Sequence, residues 1–179
     1  AVKQNPDMEL LGVFSRRGAA VKTVSGAPSY AADDILNYKN EIDVVIVCGG
    51  SATDLPKMTP ALAKDFNVVD SFDTHAKIPE HFSSVDAAAR DGEHVALISA
   101  GWDPGLFSIA RLYASCALPS GKDYTFWGRG ISQGHSDAIR RIDGVLDARQ
   151  YTVPIESALD AVLAGEYPEL TAGQRHKRE

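Results

Sequence analysis

Two aspartates of the sequence follow short apolar runs and are candidates for handling a proton. Asp73 lies in the polar segment DSFDTH, and Asp103 lies in GWDPG. Two carboxylates that meet can hold a substrate ammonium group, and one of them can take its proton before a C–H bond breaks. Each aspartate alone is better explained as a helix cap or a turn former. The interpretation therefore depends on whether the fold brings them to one site.

A basic turn, Ser15-Arg16-Arg17, directly follows the apolar segment MELLGVF. In a dinucleotide-binding fold, an acidic residue at this turn accepts hydrogen bonds from the ribose of NAD, whereas a 2′-phosphate requires positive charge. A serine hydroxyl and two guanidinium groups therefore predict NADP. The alternative interpretation is an ordinary solvated basic turn.

Further polar and glycine-rich segments are candidates for binding. Cys48-Gly49-Gly50-Ser51 follows the run VVIVC, where glycines would let the main chain approach a ligand closely, although a plain turn also favours glycine. The segment from Ser132 to Arg141 is either a binding loop or a helix start capped by Ser136. Trp102 and Trp127 either form the wall of a pocket or belong to the core.

The elements that position these residues are short apolar strands alternating with helices. We predict strands at 8–14, 44–48, 67–70 and 94–99, and helices at 1–5, 33–39, 55–64 and 81–91. The β-branched run at 44–48 is typical of a strand buried on both faces. This alternation predicts βαβ units in a Rossmann-type, doubly wound parallel sheet.

The pattern changes near residue 101. Aromatic, alternating segments at 123–127 and 149–153 predict antiparallel strands, and helices are predicted at 107–118, 136–142 and 155–163. We therefore predict an α/β fold in two parts. Residues 1–100 form part of a dinucleotide-binding domain, and residues 101–179 form part of an α+β substrate-binding and dimerisation domain.

Composition excludes several classes of protein. The 179 residues carry 24 acidic and 18 basic side chains, a net charge of -6 that argues against nucleic-acid binding. The two cysteines, Cys48 and Cys116, are too few for a disulfide framework or a zinc site, and we expect both to be buried. No metal site, membrane span or secretion signal is indicated, so we expect a cytoplasmic protein.

The sequence resembles the meso-diaminopimelate dehydrogenase family. The matching segments run in family order: ELLGVFSRR, CGGSATDLP, VDSFDTHAKIPEH, ALISAGWDPGLFS, TFWGRGISQGHSDAIRRI, ARQYTVP and LTAGQRHKRE. The family's opening strand with its glycine-rich phosphate loop and its C-terminal third lie outside the matched pattern. We therefore expect an internal fragment that binds NADP weakly and turns over nothing by itself. Leu106, where relatives often have Met, conserves volume.

The resemblance implies a homodimer that converts meso-2,6-diaminopimelate, with NADP and water, to L-2-amino-6-oxopimelate, NADPH and ammonia at the D-configured centre. Asp73 and Asp103 would be catalytic. The implied substrate-binding residues are Asp73, Trp102, Asp103, Trp127, Gln133, Gly134, Asp137, Thr152 and Arg178, of which Thr152 and Arg178 would hold the distal carboxylate. The implied cofactor-binding residues are Ser15, Arg16, Arg17, Cys48, Gly49, Gly50, Ser51, Ser71, Phe72, Asp73, Ala100, Gly101, Trp102, Asp103 and Pro104.

Two alternatives remain at this stage. One is another Rossmann reductase with an α+β second domain, although such enzymes usually place a lysine or histidine beside the nicotinamide, where this sequence offers aspartates. The other is a non-catalytic NADP-binding protein. It predicts loss of the carboxylates, yet Asp73 and Asp103 are both present.

Overall fold

The computed structural model describes residues 2–179, apart from the side chain of Gln133, and the chain divides into two compact units, Ala1–Leu112 and Tyr113–Glu179. A 3-10 helix spans Val2–Gln4, within the helix predicted at 1–5, of which Ala1 lies outside the described residues. Each unit contains its own small sheets.

The first unit opens with two short parallel strands, β1 (Val13–Ser15) and β2 (Ser29–Ala31). A 3-10 helix follows at Ala32–Tyr38, and the rings of Phe14, Tyr30 and Tyr38 pack with centroids 4.9–5.3 Å apart. The strand predicted at 8–14 is therefore too long. β2 was not predicted, because SYA carries no run of apolar residues and becomes a strand only by pairing with β1.

The central sheet of the first unit contains three parallel strands in the order β3 (Val44–Val47), β4 (Asn67–Asp70) and β5 (Ala96–Leu97). Helix α1 (Leu55–Ala63) connects β3 to β4, and helix α2 (Ile78–Asp91) connects β4 to β5. These two βαβ units confirm the predicted parallel α/β fold.

The core lies between the helices and one face of this sheet. Leu55 and Ala63 of α1 are fully buried, and they pack in one cluster with Val47, Val68 and Val85. On α2, the helical spacing of His81, Val85, Ala88 and Ala89 places four buried residues on the face that meets the sheet.

The opposite face of the sheet is open in the described part of the chain. Val44 is 48% exposed, Ile46 is 55% exposed and Leu97 is 57% exposed. The prediction that the strand at 44–48 is buried on both faces is therefore wrong. The strand is covered on one face because α1 and α2 both pack on the face formed by Val47 and Val68.

The second unit is built around an antiparallel sheet of β6 (Gly130–Ile131), β7 (Tyr151–Pro154) and β8 (His176–Arg178). Its helices are α4 (Gln133–Arg140), α5 (Glu156–Leu163) and α6 (Ala172–Arg175), and α3 (Leu106–Ala117) precedes the sheet in the chain. These pairings confirm the predicted change from parallel strands to antiparallel strands beyond residue 101.

Several details of the second unit differ from the prediction. The strand predicted at 123–127 does not form, and the Trp127 N–H donates to a side-chain atom, Nε2 of His176, at 2.7 Å. Helix α4 begins at Gln133, so Ser136 lies inside the helix and is not its cap. β8 and α6 were not predicted, since neither LTAG nor QRHKR contains an apolar run.

Both cysteines are exposed, which makes the expectation of buried thiols wrong. Cys48 follows the last paired residue of β3, and Cys116 lies on α3, which has no buried residue. Among the described helices, none is both long and apolar enough to span a bilayer. The described residues also contain no cluster of three potential metal ligands, whether His, Cys, Asp or Glu.

Candidate functional site

The basic turn after β1 lies beside the loop that follows β3. Nη1 of Arg16 is 3.2 Å from Oδ1 of Asp54, and Oδ2 of Asp54 accepts a hydrogen bond from the Gly50 N–H at 3.1 Å. The Arg16 side chain remains 74% exposed, so its guanidinium can still reach a ligand. One carboxylate therefore joins two segments predicted to bind the cofactor.

The loops after β3 and β4 are also joined. Oγ of Ser51 accepts a hydrogen bond from the backbone N–H of Asp73 at 2.8 Å. Gly49 is required in the first of these loops, because a Cβ there would lie 2.7 Å from Cβ of Asp54. The structure thus brings Ser51 and Asp73 together as the sequence predicted.

A buried carboxylate, Asp70, ends β4. It accepts hydrogen bonds from Thr59 Oγ1 (2.8 Å), His81 Nε2 (2.7 Å), Phe72 N (3.1 Å) and Ser99 N (2.9 Å). Because an ionised carboxylate only accepts, Nε2 of His81 carries a proton. Desolvation, the largest single effect, raises the pKa of Asp70, but the hydrogen bonds from His81, Ser99, Phe72 and Thr59 together outweigh it and hold the pKa below its ordinary value.

The loop after β5 has a constrained backbone. Ser99 has a φ of 57°, in the left-handed region, and its N–H donates to Asp70. Gly105 has a φ of +137°, and a Cβ there would lie 1.8 Å from the carbonyl oxygen of Gly101, with which it forms an isolated bridge. Oδ1 of Asp103 accepts a hydrogen bond from Ser108 Oγ at 3.4 Å. The loop holds Asp103 close to the start of α3.

Two aromatic residues predicted to line the site have different environments. Phe72 is only 1% exposed, stacks on His81 with ring centroids 4.1 Å apart and donates its N–H to Asp70, so the residue predicted to contact the cofactor is buried. Trp102 is 61% exposed and stacks on Phe107 at 5.6 Å. Trp102 is therefore not a core residue.

In the second unit, Thr152 of β7 lies directly opposite Arg178 of β8. Residues paired in this way project their side chains from the same face of the sheet. Gly130 of β6 pairs with Thr152 from the other side. The two residues predicted to hold the distal carboxylate are therefore neighbours.

Trp127 is positioned by a histidine of β8. Burial and the neighbouring Arg175 lower the pKa of His176, and its unprotonated Nε2 accepts the Trp127 N–H. The Trp127 residue is 41% exposed. Its side chain is therefore available at the surface of this unit.

The remaining predicted residues lie on α4. Asp137 pairs with Arg141 and lies 3.8 Å from Arg140, so arginines of its own helix already satisfy this carboxylate. Gly134 is exposed, and a Cβ there would meet no other atom within 4 Å. The side chain of Gln133 lies outside the described residues.

Sequence reasoning missed three residues that support these loops: Asp54, Thr59 and His81. One signal was available for His81, because it shares the helical spacing of the buried Val85, Ala88 and Ala89. A histidine on an otherwise apolar helix face requires a buried partner, and Asp70 is that partner. No local pattern distinguishes Asp54 or Thr59.

A parallel βαβαβ unit, with glycines, guanidiniums and carboxylates on the loops after its strands, followed by an antiparallel second unit, defines a Rossmann-type α/β protein. The family described as "Diaminopimelic acid dehydrogenase C-terminal domain" matches residues 101–179. Relatives that match 99–100% of the chain are named meso-diaminopimelate D-dehydrogenase. The chain belongs to the meso-diaminopimelate dehydrogenase family.

The chain is 57% identical over 180 residues to the meso-diaminopimelate D-dehydrogenase of Ureibacillus thermosphaericus, covering 100% of this chain and 55% of the relative. Identity to the Corynebacterium glutamicum enzyme is 46% over 178 residues, with coverages of 99% and 55%. The C. glutamicum dehydrogenase solved in complex with DAP superposes with a TM-score of 0.89 at 45% identity, covering 99% of this chain and 54% of that chain. An engineered D-amino acid dehydrogenase bound to NADP+ gives 0.86 at 44% identity, with coverages of 99% and 55%. The chain thus spans about half the length of these relatives.

Proposed function

We propose that the full-length product of the gene encoding this chain catalyses the reversible, NADP-dependent oxidative deamination of meso-2,6-diaminopimelate. The D-configured centre loses a hydride and its amino group, and water supplies the oxygen of L-2-amino-6-oxopimelate while ammonia and NADPH are released. The observation that carries the proposal is that hydrogen bonds link the loop after β3 to the loop after β4, and the end of β4 to the loop after β5. The residues proposed to bind the cofactor and the amine lie on these loops. The names of the relatives support the choice of substrate.

The residues at the end of β1 fit an NADP cofactor. Arg16 and Arg17 are both exposed, and Oγ of Ser15 accepts a hydrogen bond from the Arg17 N–H at 3.2 Å. Guanidinium groups bind phosphate through paired, charge-assisted hydrogen bonds. Ser15, Arg16 and Arg17 would hold the 2′-phosphate, and bound NADP+ would accept the hydride. The loops at 48–51, 71–73 and 100–104 would line the rest of the cofactor.

The substrate would be held at its two ends by different residues. Asp73 and Asp103 would bind the reacting ammonium group, and one of them would accept its proton. Thr152 and Arg178 would bind the distal carboxylate, because a guanidinium and a hydroxyl are both donors to it. Trp102, Trp127, Gln133, Gly134 and Asp137 would shape the site around the aliphatic chain.

The proposed division of labour places NADP binding in residues 1–100 and substrate binding and dimerisation in residues 101–179. The match of the family's C-terminal domain to residues 101–179 supports this boundary, although the compact units of the structure divide after Leu112. We further propose that the protein is a cytoplasmic homodimer. Light scattering of the purified full-length protein would test whether it is a dimer.

The test is formation of NADPH from NADP+ by the purified full-length gene product with meso-2,6-diaminopimelate. We expect turnover with the meso isomer and little with the LL isomer, which has no D-centre, or with NAD+. Alkylation of the exposed Cys48 gives a readout independent of turnover. NADP+ should slow its modification but not that of Cys116. No turnover with the meso isomer, or activity with polyols in its place, would overturn the proposal.

A further inference from the structure

A single buried carboxylate contacts both loops that carry the proposed catalytic residues. Asp70 is 2% exposed and is the last residue of β4. Its Oδ1 accepts hydrogen bonds from the N–H of Phe72, in the loop that leads to Asp73, and from the N–H of Ser99, in the loop that leads to Asp103. The same atom therefore fixes the starting point of each loop.

The backbone of Asp70 adds a second connection to the loop after β5. Its carbonyl oxygen accepts a hydrogen bond from the Ala100 N–H at 2.8 Å. Ser99 between these contacts has a φ of 57°, a conformation that L-residues adopt only where the surroundings hold them. The Ser99 and Ala100 N–H groups both donate to Asp70, and the Ser99 carbonyl oxygen accepts a hydrogen bond from the Gly101 N–H, so these contacts hold Ser99 in place.

The other carboxylate oxygen is anchored by the helices. Oδ2 of Asp70 accepts hydrogen bonds from Thr59 on α1, which is fully buried, and from His81 on α2, which is 4% exposed. The His81 ring is itself held by stacking on Phe72. Helices packed in the core therefore orient the Asp70 carboxylate through Oδ2, and Oδ1 accepts the hydrogen bonds from the two loops.

We propose that Asp70 is a positioning residue that sets the separation of Asp73 and Asp103, with Thr59 and His81 holding its carboxylate in place. This inference rests on the proposed function, because it assigns Asp70 a task in the chemistry of those two aspartates. An apolar residue could fill this volume, but it could not accept two backbone N–H groups at once. A polar side chain with an acceptor oxygen for the two loop N–H groups and a second polar edge for Thr59 and His81 satisfies loops and helices together.

The test compares Asp70→Ala with the wild-type full-length gene product. We expect kcat with meso-2,6-diaminopimelate to fall about 100-fold, because small misplacements of reacting groups have effects of this order. KM for NADP+ should rise by no more than about tenfold, because the loops at 71–73 and 100–104 would line part of the cofactor, whereas the arginine turn proposed to hold the 2′-phosphate pairs with Asp54. Unchanged kcat, or a parallel loss of kcat, NADP+ affinity and thermal stability, would overturn the positioning role.

Hydrogen exchange gives a readout that does not depend on turnover. In Asp70→Ala the amides of Phe72 and Ser99 should both exchange at least about tenfold faster than in the wild type. Asp86→Ala is the matched control, because Asp86 is an aspartate of α2 that pairs with Arg90 at the surface. Acceleration in only one loop would contradict the coupling. This measurement also separates the two hypotheses, since it stands even if the wild type shows no activity on the diamino acid.

Two milder variants keep the proposal testable if Asp70→Ala does not fold. Asp70→Asn retains one acceptor oxygen for the loops, and its amide group can donate to Thr59 and to the other tautomer of His81. It should retain kcat within about tenfold. His81→Gln leaves Oδ1 in place but weakens the helix anchor, and we expect faster exchange in both loops. A kcat in Asp70→Asn more than about tenfold below the wild-type value, or no change of loop exchange in His81→Gln, would count against the mechanism.

Discussion

Thr152 and Arg178 are direct cross-strand partners in the antiparallel sheet of the second unit, although they are distant in the sequence. A hydroxyl and a guanidinium thus project from the same face of neighbouring strands. This arrangement suits a planar carboxylate that accepts hydrogen bonds from both side chains. It supports the proposal that these two residues bind the non-reacting end of the substrate.

Replacing Arg178 by Ala should raise KM for meso-2,6-diaminopimelate by about 10- to 100-fold, because a hydrogen bond between charged partners contributes ~1.5–3 kcal/mol. KM for NADP+ should stay unchanged. Lys177→Ala is the matched control, since Lys177 lies next to Arg178 on β8 but pairs with Val153 and projects from the other face. Equal effects of the two substitutions in steady-state kinetics would contradict the assignment.

Replacing Arg17 by Ala should raise KM for NADP+ by about 10- to 100-fold while leaving KM for NAD+ nearly unchanged, because only NADP+ carries the phosphate that this guanidinium would bind. The preference for NADP+ should therefore shrink. Arg90→Ala offers a control, as Arg90 is an exposed arginine paired with Asp86 on α2. If both cofactors lost affinity alike, the arginine would not be recognising the 2′-phosphate.

Asp103→Asn should lower kcat by about 100- to 10,000-fold, the range typical of losing a general acid or base. Asp73→Asn should also impair turnover, since its carboxylate would help hold the ammonium group. The protein should stay folded, because Asp73 is exposed and the hydrogen bond that Asp103 accepts from Ser108 is long. Wild-type activity in either variant, measured by NADPH formation, would remove that residue from the proposed pair.

The depressed pKa of Asp70 predicts a pH dependence of stability. The ionised carboxylate is favoured in the folded protein, so its contribution is fully present above the ordinary aspartate pKa of 3.8 and is lost as the pH falls through the lower folded value. The difference in free energy of unfolding between wild type and Asp70→Asn should therefore shrink as the pH drops below about 4. Urea titrations at several pH values measure it, and a difference that grew on acidification would contradict the assignment.

Sequence patterns predicted the elements that have continuous apolar periodicity. β3, α1, α3 and α5 begin and end within one or two residues of expectation, because each carries a continuous apolar run or stripe in its sequence. β2, β6 and β8 are two or three residues long and exist only through pairing with distant segments. Local sequence does not encode such partners.

Part of the candidate site could likewise be predicted from the sequence, and part could not. The basic turn and the glycines after β3 were recognisable by type and position, since loops at strand ends follow from the topology. The Asp70 network was not, because it depends on how α1 and α2 pack against β4. Likewise, the exposure of Cys48 and Cys116 reflects which faces the helices leave open, and composition does not record this.

Gly105 sets a limit on how this protein can be re-engineered. Its positive φ and the 1.8 Å approach that any Cβ would make to the Gly101 carbonyl leave no room for a side chain. In a library that randomises the segment around Asp103 to change the substrate range, we therefore expect only variants that keep glycine at position 105 to retain the structure of this loop. Variation placed at Trp102, whose ring is largely exposed, carries no such restriction.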